Sequence, residues 1–186
     1  MGSLVIKGSS SGQVTVDVPA AAGTNTLSLP AETGNIITSV TSGTLLNVVS
    51  EQTNSTISTT NTSPTSSGLT ATITPQTVNS KFLVMTTGGN VFPNNEQTEI
   101  HIYHYVSIGG GTAQAVINAE PRGLIRNGLV GGGEQKGMQS TLSFYDADTT
   151  SQLIFVPYFK SSNGSSTAYF NQGSVYVQLT VMEFAG

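Results

Sequence analysis

Val175-Tyr-Val-Gln-Leu-Thr-Val-Met-Glu-Phe184 closes the chain with Val175, Val177, Leu179 and Val181 at every second position. Side chains alternate across a β-strand, so these four share one face and the intervening residues share the other. The same period recurs upstream. Leu69, Ala71 and Ile73 alternate with threonines until Pro75 ends the run, and Glu99 to Val106 alternates as well. Phe82-Leu83-Val84-Met85 and Leu153-Ile154-Phe155-Val156 are short unbroken apolar runs, as expected of buried strands. Leu45 to Val49, Gly137 to Tyr145 (with Met138, Leu142 and Phe144) and the short Ala168 to Phe170 complete the set. About eight strands at this spacing, bounded by Gly, Asn, Ser and Pro, predict an all-β chain whose main domain is a jelly-roll-like β-sandwich. Runs of Ala, Leu, Glu and Lys at helical spacing are missing, and Gly or Pro interrupts most windows that could hold a helix.

Composition narrows the function classes. Charged residues make up 9% of the 186-residue chain, against about 25% in an ordinary globular domain. Six Lys and Arg against ten Asp and Glu give a net charge of -4, which is no electrostatic footprint for nucleic acid. The polar surface is supplied instead by 23 Ser, 26 Thr and 13 Asn, with 21 Gly. With no Cys, there is no disulfide framework, thiolate metal site or cysteine nucleophile. No apolar run approaches the roughly 18 residues of a membrane-spanning helix. Met1-Gly2-Ser3-Leu4 lacks the basic and apolar regions of a signal peptide.

Three segments are expected. Residues 1–40 form an N-terminal β segment: Leu4 to Lys7, a turn over Gly8 to Gly12, then Val14, Val16 and Val18 in alternation up to Pro19. Two further short strands follow, Thr26 to Leu29 before Pro30 and Ile36 to Thr38. Hairpins of this size are marginal alone in water, so this segment is expected to gain order by association with other copies or with another protein. Residues 41–68 form a Ser- and Thr-rich connection that includes the first sandwich strand. Residues 69–186 form the sandwich head.

Few constellations carry chemistry. His101 and His104 are the only histidines, and on a strand they point to opposite faces, with Glu99, Tyr103 and Tyr105 beside His101. A structural strand face is the expected role; in a symmetric trimer a single His per chain near the axis, His101, could also meet its two copies. Asp146 and Asp148 sit in a turn without the dense oxygen pattern of a calcium loop. Gly109 to Gly111 and Gly131 to Gly133 resemble loop tips, since no strand-Gly-helix unit accompanies them. Arg122 and Arg126, with Glu120, Glu134 and Lys136 nearby, suit an interface ion pair. No Ser lies in a Gly-x-Ser-x-Gly turn and no paired carboxylates suggest glycoside hydrolysis, so no enzyme activity and no cofactor or metal is expected.

Two stretches resemble a known group of proteins. Leu4 to Thr38 resembles the short N-terminal repeat of tailed-phage fibre and head-decoration proteins of the cyanophage type. Residues 44–87, with Leu45 to Ser50, Gly68 to Pro75 and Ser80 to Met85, resemble the β-rich domain that follows it, and Gln178 to Phe184 is similar to that domain's last strand. The resemblance implies a trimeric, non-enzymatic structural protein of the virion, most simply a capsid decoration or cement protein that binds and stabilises the head shell. Its expected partners are its own copies in a homotrimer and the major capsid protein or another virion protein, without nucleic acid or membrane. A short tail fibre or fibre tip that binds a host-surface glycan is the alternative, with the glycine-rich loops and Tyr103, Tyr105, Tyr158 or Tyr169 as contacts. Val14, Val16, Leu27 and Leu29, each beside a polar neighbour, are the expected anchoring residues, through strand addition to a capsid edge.

Overall fold

The computed structural model describes residues 4–7, 10–11, 13–16, 42–94, 98–117, 123–128, 137–173 and 175–186. The chain divides into two compact units, Met1–Ile36 and Ile37–Gly186. In the first, β1 (Leu4–Lys7) and β2 (Gln13–Val16) pair antiparallel, with Leu4 opposite Val16 and Ile6 opposite Val14. The strands expected around Leu27 to Leu29 and Ile36 to Thr38 lie outside the described residues.

The second unit is a β-sandwich of two six-stranded sheets, and no helix occurs among the described residues. Its strands are β3 (Leu45–Thr53), β4 (Ile57–Thr59), β5 (Thr65–Ser66), β6 (Ala71–Ile73), β7 (Lys81–Pro93) and β8 (Glu99–Ile108). They continue as β9 (Gln114–Ala115), β10 (Ile125–Gly128), β11 (Gly137–Asp146), β12 (Leu153–Ser161), β13 (Ala168–Asn171) and β14 (Val177–Phe184). The first sheet runs β3-β14-β7-β13-β4, with β11 also on β7. The second runs β10-β8-β12-β5, with β6 on β12 and β9 on β8. All pairs are antiparallel, and the long strands from β7 to β12 alternate between the two sheets.

The eight strands expected from the alternation are β3, β6, β7, β8, β11, β12, β13 and β14, with β14 starting two residues later than its apolar pattern. Four short strands join them: β4 and β5 at sheet ends, and β9 and β10 on β8. Residues 41–68 thus contribute β3, β4 and β5 to the sandwich.

The core lies between the sheets. Phe82, Val84, Val177, Leu179 and Val181 of the first sheet pack with Ile100, Ile102, Val106, Leu153, Phe155 and Phe159 of the second. Continuous burial of this kind is the main stabilising term for a sandwich. Strand β7 serves both halves of the first sheet because it bends. Gly88 and Gly89 hold φ of 84° and 71°, after which Phe92 and Pro93 pair with β13 instead of β14. A Cβ on Gly88 would stand 2.5 Å from the Tyr176 carbonyl oxygen, so only glycine fits this close approach. At the other end of β7, the buried Glu183 of β14 accepts hydrogen bonds from the Gln76 N–H and the Ser80 hydroxyl, both at 2.6 Å. The Ser80 oxygen in turn accepts from the Thr77 N–H at 3.2 Å, so one carboxylate fixes the turn that leads into β7.

Candidate assembly surface

Strand β11 is built the wrong way round for an ordinary sandwich. Its buried positions are Gln139, Thr141 and Ser143, while Met138, Leu142 and Phe144 face outward at 79%, 51% and 67% exposure. Its register with β7 is regular from Gln139 to Asp146, so the inversion is not a slip within the pairing.

The cause lies across the core. His104 of β8 shares the inward face with Ile100, Ile102 and Val106 and is only 1% exposed. A buried imidazole needs hydrogen-bond partners, because leaving one without them costs on the order of 1–3 kcal/mol. Ser143 Oγ lies 2.6 Å from Nδ1, and Thr86 Oγ1 and Thr141 Oγ1 lie 2.9 and 3.0 Å from Nε2. Thr141 also donates to the Thr86 carbonyl at 3.4 Å. The proton assignment that fits has Ser143 donating to Nδ1 and Nε2–H pointing at the two threonine oxygens. Burial lowers the imidazole from 6.5 to about 4, so it is neutral at physiological pH. Polar residues of β11 thus face inward to satisfy His104, and period-2 geometry then forces Leu142 and Phe144 outward.

Cross-strand register assembles these outward residues into rows. Phe144 lies opposite Leu83, Leu83 opposite Met182, and Met182 opposite Val48. The next row is Leu142, Met85, Thr180 and Ser50; the row on the other side is Asp146, Lys81, Phe184 and Leu45. Val48 and Leu45 are 46% and 52% exposed, and Leu83, Met85, Met182 and Phe184 are half-buried. The only charged side chains in these rows, Lys81 and Asp146, face each other at 3.9 Å. Among the described residues both outer strands of this face are paired on one side only, β3 with β14 and β11 with β7. Leaving Leu142 and Phe144 half-exposed or more forgoes on the order of 1–2 kcal/mol each relative to full burial. Open strands and contiguous apolar rows are the features that proteins ordinarily cover.

The other sequence candidates fall elsewhere. His101 lies on the face of the second sheet opposite His104, as expected from the alternation, yet is buried there, and its Nε2 lies 3.2 Å from Glu99 Oε2. No group of three His, Cys, Asp or Glu able to hold a metal occurs among the described residues. On the same outward face of the second sheet, Tyr105 and Tyr158 stack at 4.2 Å and Lys160 sits 5.4 Å over the ring of the buried Tyr103. Tyr169 is stacked against the buried Phe92 in the first sheet. Gly109 to Gly111 form a tip closed by the bond from Gly111 N–H to the Ile108 carbonyl. Beside it, Val106, Ile108, Thr112, Gln114 and Tyr145 line a recess of about 310 Å³. Burial, with the neighbouring Asp148 carboxylate adding to it, raises the Tyr145 hydroxyl above the ordinary tyrosine value of 10. Val14 and Val16 lie on β2 of the first unit; Leu27, Leu29, Gly131 to Gly133, Glu120, Arg122, Glu134 and Lys136 lie outside the described residues. Arg126 stands opposite His101 in the pairing of β10 with β8.

The outward face of the first sheet was missed by sequence reasoning, although a signal was present. His104 shares its parity with Ile100, Ile102 and Val106, so it had to be buried and partnered, and Thr141 and Ser143 share one parity of their strand. No protein-family model matches the chain, and no curated protein matches it either.

Proposed function

We propose that this chain is a non-enzymatic structural protein of a tailed-phage virion, acting as a capsid decoration or cement protein. The observation that carries this reading is the charge-poor apolar face of the first sheet, which suits a protein whose working state is an assembly. The sequence resemblance over residues 4–38 and the sandwich strands supports the virion as its place. In this reading residues 1–40 grip the major capsid protein, with Val14, Val16, Leu27 and Leu29 adding a strand to a capsid edge, and copies associate as a homotrimer through the same segment. Binding the assembled shell but not the unfolded shell protein stabilises the particle by mass action. With so few charges, attachment depends on apolar contact and backbone hydrogen bonds and withstands high salt.

Deleting residues 1–38 tests this. The remaining sandwich is expected to stay folded and soluble but to lose particle binding, and Val16→Asp in the full chain is expected to release it as well, since a carboxylate buried without a partner is costly. Normal occupancy by the truncated chain would exclude the anchor. Hundreds of copies per particle accord with decoration, whereas three to eighteen or so, with lost adsorption to cells, identify the tail-fibre alternative. The recess beside Gly109 to Gly111, with the Tyr145 ring at its wall, favours that second reading as the place for a host-surface glycan.

A further inference from the structure

We propose that the outward face of the first sheet binds a second copy of this chain about a two-fold axis that runs parallel to the strands, over the seam between β7 and β11. This rests on the reading of that face as an assembly surface and names its occupant. The reason is self-complementarity, row by row. Such an axis lays β7 of one copy on β11 of the other and keeps each cross-strand row together. Lys81 then meets Asp146 of the second copy, Leu83 meets Phe144, Met85 meets Leu142, and Thr87 meets Ser140; each pair already shares a row within one chain. Cation falls on anion, apolar on apolar and polar on polar, twice over. An isologous interface requires this reciprocity, and a row of like charges would forbid it. Sheets packed face to face lie about 10 Å apart, which leaves room for Phe144 and Leu142 to interdigitate with Leu83 and Met85. The contact also covers Phe144 and Leu142, 67% and 51% exposed, and leaves Leu45 and Val48 of β3 at the margin.

The size of the contact sets its strength. The two overlapping strands, about 4.8 Å apart, and ten residues at about 3.3 Å each give a footprint of roughly 300–350 Å² per copy. That is below the ~800 Å² per partner of a standard stable complex, so the pair should be reversible and dependent on protein concentration.

Light scattering on the full chain from about 1 to 200 μM tests it. The expected species are even-numbered: a dimer, or a hexamer where the N-terminal segment also joins three chains. Leu142→Glu and Phe144→Glu should each weaken the two-fold association at least tenfold with an unchanged unfolding midpoint, because both side chains point outward. Val48→Glu, on the same face but outside the overlap, should change it less than about twofold. Because the chain has no cysteine, spin labels on Asp148→Cys report geometry without touching the contact. The proposed axis keeps both labels at the same end of the pair, within roughly 30 Å; antiparallel edge-to-edge pairing of β11 would put them at opposite ends of a ten-residue strand, further apart. A monomer at 200 μM, a trimer indifferent to Leu142→Glu and Phe144→Glu, equal sensitivity to Val48→Glu, or distant labels would each overturn the proposal. Particle binding through residues 1–38 can survive all four results, so the failure of this contact and of the virion reading are separable.

Discussion

Strands β11 and β14 flank the same residues of β7, in the same antiparallel sense, yet they face opposite ways. In β14 the apolar set Val177, Leu179 and Val181 is inside, and Gln178 is outside. In β11 the hydroxyls of Thr141 and Ser143 are inside, and Leu142 and Phe144 are outside. Local pattern does not separate them, since both alternate with period 2. What separates them is the group each meets across the core. β14 faces an apolar layer, where an inward hydroxyl would lack partners. β11 faces His104, where an inward leucine would leave a buried imidazole without partners. Alternation states which residues travel together; the opposite sheet decides which set goes in.

The same substitution on the two strands measures that difference. Leu179→Ala removes a fully buried side chain and should lower unfolding free energy by about 3 kcal/mol, within the usual 2–5. Leu142→Ala, studied by urea unfolding at a dilution where copies are separate, should cost less than about 0.5 kcal/mol, as at other exposed positions. Similar losses at both sites would mean that the outer face of β11 is packed within a single chain, and the contrast would collapse.

Acid should expose the same difference. His104 has its pKa lowered from 6.5 to about 4 by burial, so between these values the unfolded chain binds a proton that the folded chain refuses. Stability from this group is therefore complete above about pH 7, falls as pH drops through 6.5, and levels off below about 4. The total is on the order of 3 kcal/mol, at about 1.4 kcal/mol per pH unit. Urea midpoints from pH 7.5 to 3.5 would follow it, and His104→Gln should flatten that window. Leu179→Ala should shift the whole curve without changing its shape. A wild-type curve flat from pH 6.5 to 4 would show that His104 is not held neutral by the core.

Much of the fold was legible in the sequence, because the eight main strands show either a period of two or a short unbroken apolar run, as at Phe82 to Met85 and Leu153 to Val156, set among Gly, Pro, Asn and Ser. The four short strands were not. β5 and β9 have two residues each, too few to show a period, and they exist because β12 and β8 offer them partners. The opposite facing of His101 and His104 followed from strand geometry alone. The apolar face did not, because it depends on a contact between residues 104 and 143, on strands in different sheets. The anchoring residues chosen from sequence, Val14, Val16, Leu27 and Leu29, rest on local alternation alone, which says nothing of what they touch.

The smallest effect tests the cause of the inversion most directly. Ser143→Ala keeps the backbone of β11 and its register with β7 but removes the donor 2.6 Å from His104 Nδ1. A buried acceptor without its partner costs about 1–2 kcal/mol, and the change in side-chain size is too small to open a large cavity. The equivalent change on the outer face, Ser140→Ala, should be neutral within a few tenths of a kcal/mol, since Ser140 is exposed. A double-mutant cycle with His104→Gln makes the comparison specific: coupling of about 1 kcal/mol or more between 104 and 143, and none between 104 and 140. Absent coupling to Ser143 would mean that the imidazole does not set the direction of β11, and that the reason for its outward apolar row lies in the partner that covers it.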